Sequence, residues 1–288
     1  MGDDQGDASI DSPPPPPGWT TLIERSWQLP AYYEQYLCRV MKVPADMYIT
    51  GYHLVAPTGT HHTILTITDQ TTVGDSTCTP TTTDPSMLYA GGINTNDLVF
   101  PSGVAIKVSA GQYIKLELHL FNPSDTAISG TSGVQIKTAM ASEVVNEGDM
   151  LFLGNIDNWT IAPTNTSCNI YGSCGAPTSW HIFAAWPHMH TYGTHQKVAI
   201  RRSATSTVDT LLDTAYDFRE QKLYGPMDMV VNTGDMLEVT CTYLNSSTST
   251  ISQGDTSTDE MCLTGLLKYP KGGDPYFCAA LGGASQCL

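Results

Sequence analysis

Five histidines and one methionine form two sets of three side chains that are suited to bind metal ions: His61, His62 and His119, and His188, His190 and Met261. Imidazole is a common ligand of copper and zinc. A thioether is a soft ligand that favours Cu(I) over Zn(II). Two sets of three ligands, one of which includes a methionine, therefore indicate a two-copper site and redox chemistry with oxygen rather than hydrolysis.

His188 and His190 are separated by one residue, so on a β-strand both side chains emerge on the same face and can reach one ion. Pro187 disfavours a central, fully paired strand and indicates a strand edge or end. A pair of ordinary surface histidines would have the same pattern. Met261 has its own alternative, because the usual place of a methionine is the apolar core.

His61 and His62 are neighbours, and neighbouring strand residues point to opposite faces of a sheet. A shared metal ion would require a β-bulge or the use of different ring nitrogens. The alternative is a solvated pair that follows the turn at residues 58–60. His119 alone on a polar strand face is equally compatible with a plain exposed histidine.

The bulk composition limits the partners of the protein. The chain has 288 residues, of which 41% are hydrophobic. Its formal net charge is −15, because 28 Asp and Glu residues outnumber 13 Lys and Arg residues. This balance argues against binding to nucleic acid or to an anionic membrane. The chain has no run of about 18 apolar residues, so we predict no transmembrane span.

The eight cysteines indicate an oxidising compartment. They are scattered through a Thr-, Ser- and Gly-rich chain without any Cys-x-x-Cys pair. The even number predicts four disulfides and a secreted or cell-surface protein; the alternative is eight buried thiols. The residues after Met1 lack the features of a signal peptide, so we expect a mature chain from which the signal was removed. Residues 1–18 are acidic and then proline-rich, which predicts a flexible tether.

Short alternating segments separated by turn residues predict an all-β fold. The stretch Tyr113 to Phe121 is the clearest example. One face would carry Ile114, Leu116, Leu118 and Leu120, and the opposite face Lys115, Glu117 and His119. On that polar face we expect Glu117 to be a solvated carboxylate; the alternative is a group that tunes the site at His119. The whole pattern predicts two tandem antiparallel β-sandwich domains of jelly-roll type at residues 19–143 and 144–288, each with one ligand set and stapled by disulfides.

Several motifs, taken in order, resemble the copper type II ascorbate-dependent monooxygenases, the family of peptidylglycine α-hydroxylating monooxygenase and dopamine β-monooxygenase. They extend from about Tyr36 to Cys278 and include YLCRVMKVP at 36–44, HHTIL at 61–65, MLYAGG at 87–92, PSGVAIKV at 101–108, LELHLFN at 116–122, HMHTYG at 188–193, GDMLEVTCTY at 234–243 and DEMC at 259–262. Their order and spacing are more specific than any single motif.

The resemblance implies two copper ions, O2 and an external electron donor such as ascorbate. His61, His62 and His119 would hold the electron-donating copper. His188, His190 and Met261 would form the catalytic site, where oxygen and substrate meet. The resemblance also implies the disulfides Cys38–Cys78, Cys241–Cys262 and Cys174–Cys278, which leaves Cys168 and Cys287 to pair.

Two departures from the family pattern concern the substrate. The peptide-hydroxylating enzyme has a carboxylate-binding Arg two residues before the first His of its His-x-His motif, where this chain has Trp186. It also has a Tyr four residues after the methionine ligand, where this chain has Gly265. We therefore expect the protein to hydroxylate a C–H bond of a small or peptide-like substrate other than peptidylglycine. Trp186 is either a residue of the substrate pocket or a packing residue. The alternatives are a copper-binding or storage protein on the same fold and a structural β module with incidental histidines.

Overall fold

Alternation of apolar and polar residues produces strands along almost the entire chain. The computed structural model describes residues 14–79, 84, 86–163, 167–256, 258–272, 277–279 and 286–287. The strands are β1 Thr20–Leu29, β2 Tyr33–Lys42, β3 Met47–Val55, β4 Thr60–Thr68, β5 Gly74–Thr77, β6 Ser86–Gly92, β7 Leu98–Val99, β8 Val104–Val108, β9 Tyr113–Asn122, β10 Ile128–Thr138, β11 Asn146–Glu147, β12 Asp149–Asn155, β13 Thr160–Ile161, β14 Cys168–Gly175, β15 Trp180–His188, β16 Gly193–Arg201, β17 Val208–Ala215, β18 Met229–Val231, β19 Met236–Tyr243, β20 Ile251–Ser252, β21 Cys262–Tyr269, β22 Phe277–Ala279 and β23 Gln286–Cys287. A 3-10 turn at Ala141–Glu143 is the sole helical element in the described ranges.

The first half of the chain forms two sheets that face each other. One sheet has the strand order β1-β10-β3-β8-β11, with β7 paired to β3, and the other has the order β5-β2-β9-β4-β6. The predicted apolar face of β9 is confirmed, because all four of its aliphatic side chains are fully buried. These residues enter a core that includes Trp27 and Tyr52 of the opposing sheet.

The second half repeats this arrangement with a sheet of order β18-β15-β21-β12-β22 and a sheet of order β14-β19-β16-β17. The three short strands β20, β13 and β23 form a small additional sheet. Trp180 of one sheet and Val239 of the other belong to the same buried cluster. The all-β prediction is therefore confirmed, and no helix in the described part of the chain is long and apolar enough to cross a membrane.

The two halves pack directly against each other. The rings of Phe100 and Phe183 have centroids 4.8 Å apart. Phe152 and Trp186 of the second half belong to the same buried cluster as the core of the first half. Because this contact is apolar and continuous with a core, it holds the ends of β4, β9 and β15 close together. These strands carry four of the six predicted ligands, and His190 follows just after β15.

Three disulfides whose two cysteines are both described strengthen the sheets. Cys38–Cys78 ties β2 to the segment after β5, Cys174–Cys278 joins β14 to β22, and Cys241–Cys262 joins β19 to the start of β21. These are the three pairs that the family resemblance implies. The predicted pair Cys168–Cys287 lies outside the described side chains, although Cys168 itself is disulfide-bonded. Cys241–Cys262 fixes the residue next to Met261, whose long side chain is intrinsically flexible.

Candidate metal centre

The three histidines of the first ligand set converge at one end of the sheet that contains β4 and β9. His62 lies directly opposite His119 in the ladder, and the register shifts between Thr60 and His62. This bulge is one of the two arrangements that allow adjacent histidines on a strand to share an ion. His61 Nδ1 lies 3.1 Å from His62 Nδ1. One ring nitrogen from each of the three histidines lies within 4.8 Å of the others.

His119 is held in position by two residues of β2, the neighbouring strand. Its Nε2 donates a hydrogen bond of 2.5 Å to Glu34 Oε1. Its ring stacks on Tyr36 with a centroid distance of 4.2 Å and an angle of 9°. Among the described residues, the buried His119 Nδ1 has no hydrogen-bond partner. A carboxylate on one ring nitrogen and an open second nitrogen are typical of a metal-binding histidine.

The second ligand set lies at the end of β15 and the beginning of β21. His188 is the last residue of β15, and His190 follows just after the strand. Their rings have centroids 5.2 Å apart and are nearly perpendicular, at 86°. His188 Nδ1 donates to Gln221 Oε1 at 2.9 Å, and His190 Nδ1 donates to the carbonyl of Asp259 at 3.1 Å. Each of these histidines therefore has Nε2 left to bind a metal ion.

Met261 is held close to His190 by its neighbour Glu260. The Glu260 carboxylate accepts hydrogen bonds from the backbone N–H groups of His190 and Tyr192, at 2.8 and 2.5 Å. The hydroxyl of Tyr243 donates to the Met261 carbonyl at 2.6 Å. Met261 is 7% exposed and lines the same cavity as His188 and His190. It therefore lies at the surface of a cavity rather than inside a closed core, which leaves its sulfur available as a ligand.

Burial favours the neutral form of four of the five histidines. Burial, with a smaller contribution from the neighbouring His119, lowers the pKa of His61 to about 3. Burial and His190 lower the pKa of His188 to about 3. Burial also lowers the pKa values of His62 and His190. A neutral imidazole has the lone pair that a metal ion needs, so these four side chains are suited to bind copper, and both sets fit copper in donor type.

The two ligand sets face each other across the contact between the two halves. The ring centroids of His62 and His188 are 6.1 Å apart. Phe218 lies beside both sets, with its centroid 4.2 Å from His61 and 6.3 Å from His190. A cavity of about 80 Å³ is bordered by members of both sets. The six predicted ligands therefore surround a single region of the molecule.

The loop between β17 and β18 supports this region. Gln221 adopts a left-handed backbone conformation with φ of 42°, which is strained for a residue other than glycine. This conformation places its side chain on His188, while its carbonyl accepts hydrogen bonds from Gly92 N and Trp186 Nε1, at 2.9 and 3.1 Å. Gln221 therefore links His188 to the first half of the chain.

The expectation that Glu117 is a solvated carboxylate is wrong. Its side chain is 4% exposed and lies 3.7 Å from Lys115 Nζ, which also contacts Asp84 at 2.7 Å. Both faces of β9 are buried, so the polar face is paired internally instead of hydrated. His195, a further histidine near the second set, is 40% exposed and binds Asp213 at 2.9 Å.

Sequence reasoning did not find Glu34, Tyr36, Phe218, Gln221 or Glu260. Gln221 is separated from His188 by 33 residues and Glu34 from His119 by 85. Isolated polar and aromatic residues of this kind have no local pattern that marks them. Of these residues, only Glu260 could have been found from the sequence, because it is next to the predicted ligand Met261. A carboxylate that is buried beside a ligand needs hydrogen-bond donors nearby.

One family model matches the second half of the chain. Residues 146–282 match the family model described as copper type II ascorbate-dependent monooxygenase, C-terminal domain. The matched range contains the second ligand set and begins after the first. No curated protein matches the sequence.

The solved structures with some similarity have low scores. PNGase F, a glycosylasparaginase from Flavobacterium meningosepticum, is 12% identical with a TM-score of 0.33, and the alignment covers 85% of this chain and 95% of that one. A structure of infectious bursal disease virus strain Gx is 9% identical with a TM-score of 0.26, covering 93% and 77%. A secreted protein from Eubacterium rectale is 8% identical with a TM-score of 0.25, covering 85% and 68%. Similarities at this level have no bearing on function.

Proposed function

We propose that this chain is a secreted dicopper monooxygenase, because residues 146–282 match the model of the C-terminal domain of copper type II ascorbate-dependent monooxygenases. It hydroxylates a C–H bond of a small or peptide-like substrate, with O2 and an external reductant such as ascorbate. The main support is that the two ligand sets face each other at one cavity, with His62 and His188 6.1 Å apart. The three disulfides are compatible with secretion.

In this proposal His61, His62 and His119 hold one copper, and His188, His190 and Met261 hold the other. Imidazoles tolerate both oxidation states of copper, whereas the thioether favours Cu(I). Copper bound at the second set supplies the activation of O2. The net reaction takes one C–H bond, O2, two electrons and two protons, and it yields C–OH and water. The reductant supplies both electrons.

The contribution of the chain is to fix the ligands and to exclude water. Gln221 and the Asp259 carbonyl orient the rings of His188 and His190 through their Nδ1 atoms. Glu260 holds the backbone of His190 close to Met261. Burial of both sets by the packed halves keeps solvent away from the reacting C–H bond. We further propose that the halves are two domains, at residues 19–143 and 144–288, preceded by a tether at 1–18.

Peptidylglycine does not suit this site. Trp186 is buried and occupies the position of the family's carboxylate-binding Arg, while Gly265 lies directly opposite it in the β15–β21 ladder. No Lys or Arg is present among the described residues that line the cavity. A substrate carboxylate would therefore be buried without a cationic partner, which is energetically costly.

Copper stoichiometry of single variants tests the proposal. We expect two coppers per chain in the unmodified protein and one in either His61→Ala or His188→Ala, because each variant removes a ligand from one set only. His195→Ala is the matched control, since that histidine is exposed and belongs to neither set. Ascorbate-dependent oxygen uptake that is lost in both variants supports an enzyme. Full copper binding without sustained uptake supports a carrier, and unchanged stoichiometry would sink the ligand assignment.

Glu34 provides a second test, at the first site. Glu34→Ala removes the acceptor of the His119 Nε2–H, so we expect the copper affinity of that site to fall about 10–100-fold. Glu34→Gln keeps an acceptor oxygen and should lose much less affinity. Both can be measured by competition with a Cu(I) chelator. Equal losses in the two variants would mean that the acceptor does not orient His119.

A further inference from the structure

The cavity between the two ligand sets has mostly apolar walls. Its apolar lining residues are Ile64, Met87, Phe152, Trp186, Leu263 and Phe277. Met261 and His190 border the same space. A group that enters this cavity therefore lies next to the ligand set at which we propose that oxygen reacts.

Trp186 forms a fixed wall of the cavity. Its Nε1 donates to the Gln221 carbonyl at 3.1 Å, and its ring stacks on His188 with a centroid distance of 4.8 Å and an angle of 24°. Trp186 is 2% exposed. Because the ring is held both by a hydrogen bond and by stacking, it does not move aside to enlarge the cavity.

Gly265 makes room for this wall. A Cβ atom at Gly265 would lie 3.0 Å from Met150 Sδ, 3.5 Å from Phe152 Cε1 and 3.6 Å from Trp186 Cε3. The aromatic rings of Phe152 and Trp186 therefore pack over a position that a side chain would fill. The tryptophan and the glycine act together, since a side chain larger than that of alanine at 265 would compete with the rings for the same space.

The charges at the cavity disfavour an anionic substrate group. The charged side chains that line it in the described structure are Glu117 and Asp255, both carboxylates. Lys115 lies 3.7 Å from Glu117, so the Glu117 charge is compensated within the protein. An uncharged apolar group gains free energy by entering, whereas a carboxylate would lose its hydration next to like charges.

The volume limits the size of the group. The cavity measures about 80 Å³. A protein cavity of about 150 Å³ with similar apolar walls takes up benzene, which has six carbons. In proportion, this cavity encloses about three carbons, and the rest of a larger substrate would extend through its open side.

We propose that this cavity is the substrate subsite, and that it selects a short uncharged alkyl group of about three carbons, with Trp186 and Gly265 as the residues that determine specificity. The chemistry performed on that group rests on the proposed function. The selectivity itself does not, because binding can be measured without turnover.

The experiment measures binding of 1-propanol, toluene and butyrate to the full chain by saturation-transfer NMR, both without metal and with Cu(I) under nitrogen. We expect 1-propanol to bind at least 10-fold more tightly than either toluene or butyrate. Trp186→Leu should gain at least 10-fold in toluene affinity, because it opens the wall. Gly265→Val should lose at least 10-fold in 1-propanol affinity. Its Cβ already lies 3.5 Å from Phe152 Cε1 and 3.6 Å from Trp186 Cε3, so the additional methyl groups fit only if these rings move into the cavity.

Gly175→Val is the matched control, since a Cβ at 175 would meet nothing closer than Met236 Cε at 4.0 Å. It should bind all three probes as the unmodified protein does. Toluene or butyrate binding equal to that of 1-propanol in the unmodified protein would overturn the proposal, as would unchanged 1-propanol binding in Gly265→Val. Failure of the proposed function would appear separately, as unchanged copper stoichiometry in His61→Ala and His188→Ala.

Discussion

Replacing Met261 by isoleucine is expected to remove the sulfur scatterer from the copper X-ray absorption of the ascorbate-reduced protein. The thioether is the one soft ligand of the second set, and no other sulfur is predicted to bind copper. Loss of residues that merely orient ligands costs about 10–100-fold in metal affinity or activity. Loss of a ligand should cost at least as much, so we expect ascorbate-dependent oxygen uptake to fall about 100-fold or more. The change nearly conserves volume, so the fold should lose less than about 1.5 kcal/mol.

Met189→Leu is the matched control for this variant. Met189 lies between His188 and His190 in sequence, is fully buried, and belongs to the apolar core of the second half. Its replacement should leave both the sulfur signal and oxygen uptake unchanged. A sulfur signal that persists in Met261→Ile would contradict the ligand assignment and would make the carrier function the better proposal.

The sequence predicted features that have a local periodic signal. The alternation in β9 predicted a buried aliphatic face, and β19 has Leu237, Val239, Cys241 and Tyr243 buried in the same way. For the His61-His62 pair to share an ion, the sequence required either a bulge in β4 or the use of different ring nitrogens, and a register shift is present at that point. These features follow from the two-residue period of a strand, which neighbours along the chain reveal.

Long-range packing could not be predicted in the same way. The polar face of β9 has the pattern of a solvated face, yet Lys115, Glu117 and His119 are all buried. Asp84, on a distant segment, compensates the charge of Lys115. The apolar contact with the second half contributes to the burial of this region. Similarly, the strained backbone of Gln221 has no signal in the sequence, because the strain is maintained by contacts on both halves. A strand pattern shows which residues share a face, but not what covers that face.

The buried charges on β9 lead to the second large effect. Lys115→Met is expected to lower the free energy of unfolding by about 3–5 kcal/mol, because it leaves the carboxylates of Asp84 and Glu117 buried without their cation. The side chains of Lys115, Asp84 and Glu117 are 1%, 10% and 4% exposed, so solvent screens these charges weakly. Asp84 also accepts hydrogen bonds from the hydroxyl groups of Thr66 and Thr68. These bonds hold the carboxylate in place, so it cannot turn toward solvent without losing them. Urea unfolding with the disulfides intact, followed by tryptophan fluorescence, measures the loss.

Two further variants separate charge burial from a general effect of losing a lysine. Lys107 pairs with Asp46 at 3.4 Å, but their side chains are 29% and 48% exposed, so Lys107→Met should cost less than about 1 kcal/mol. Adding Asp84→Asn to Lys115→Met removes one uncompensated charge and should recover at least about 1 kcal/mol of the loss. If Lys115→Met costs no more than Lys107→Met, the buried pair does not stabilise β9. In that case, the order of the sheet that carries His61, His62 and His119 must come from apolar packing alone.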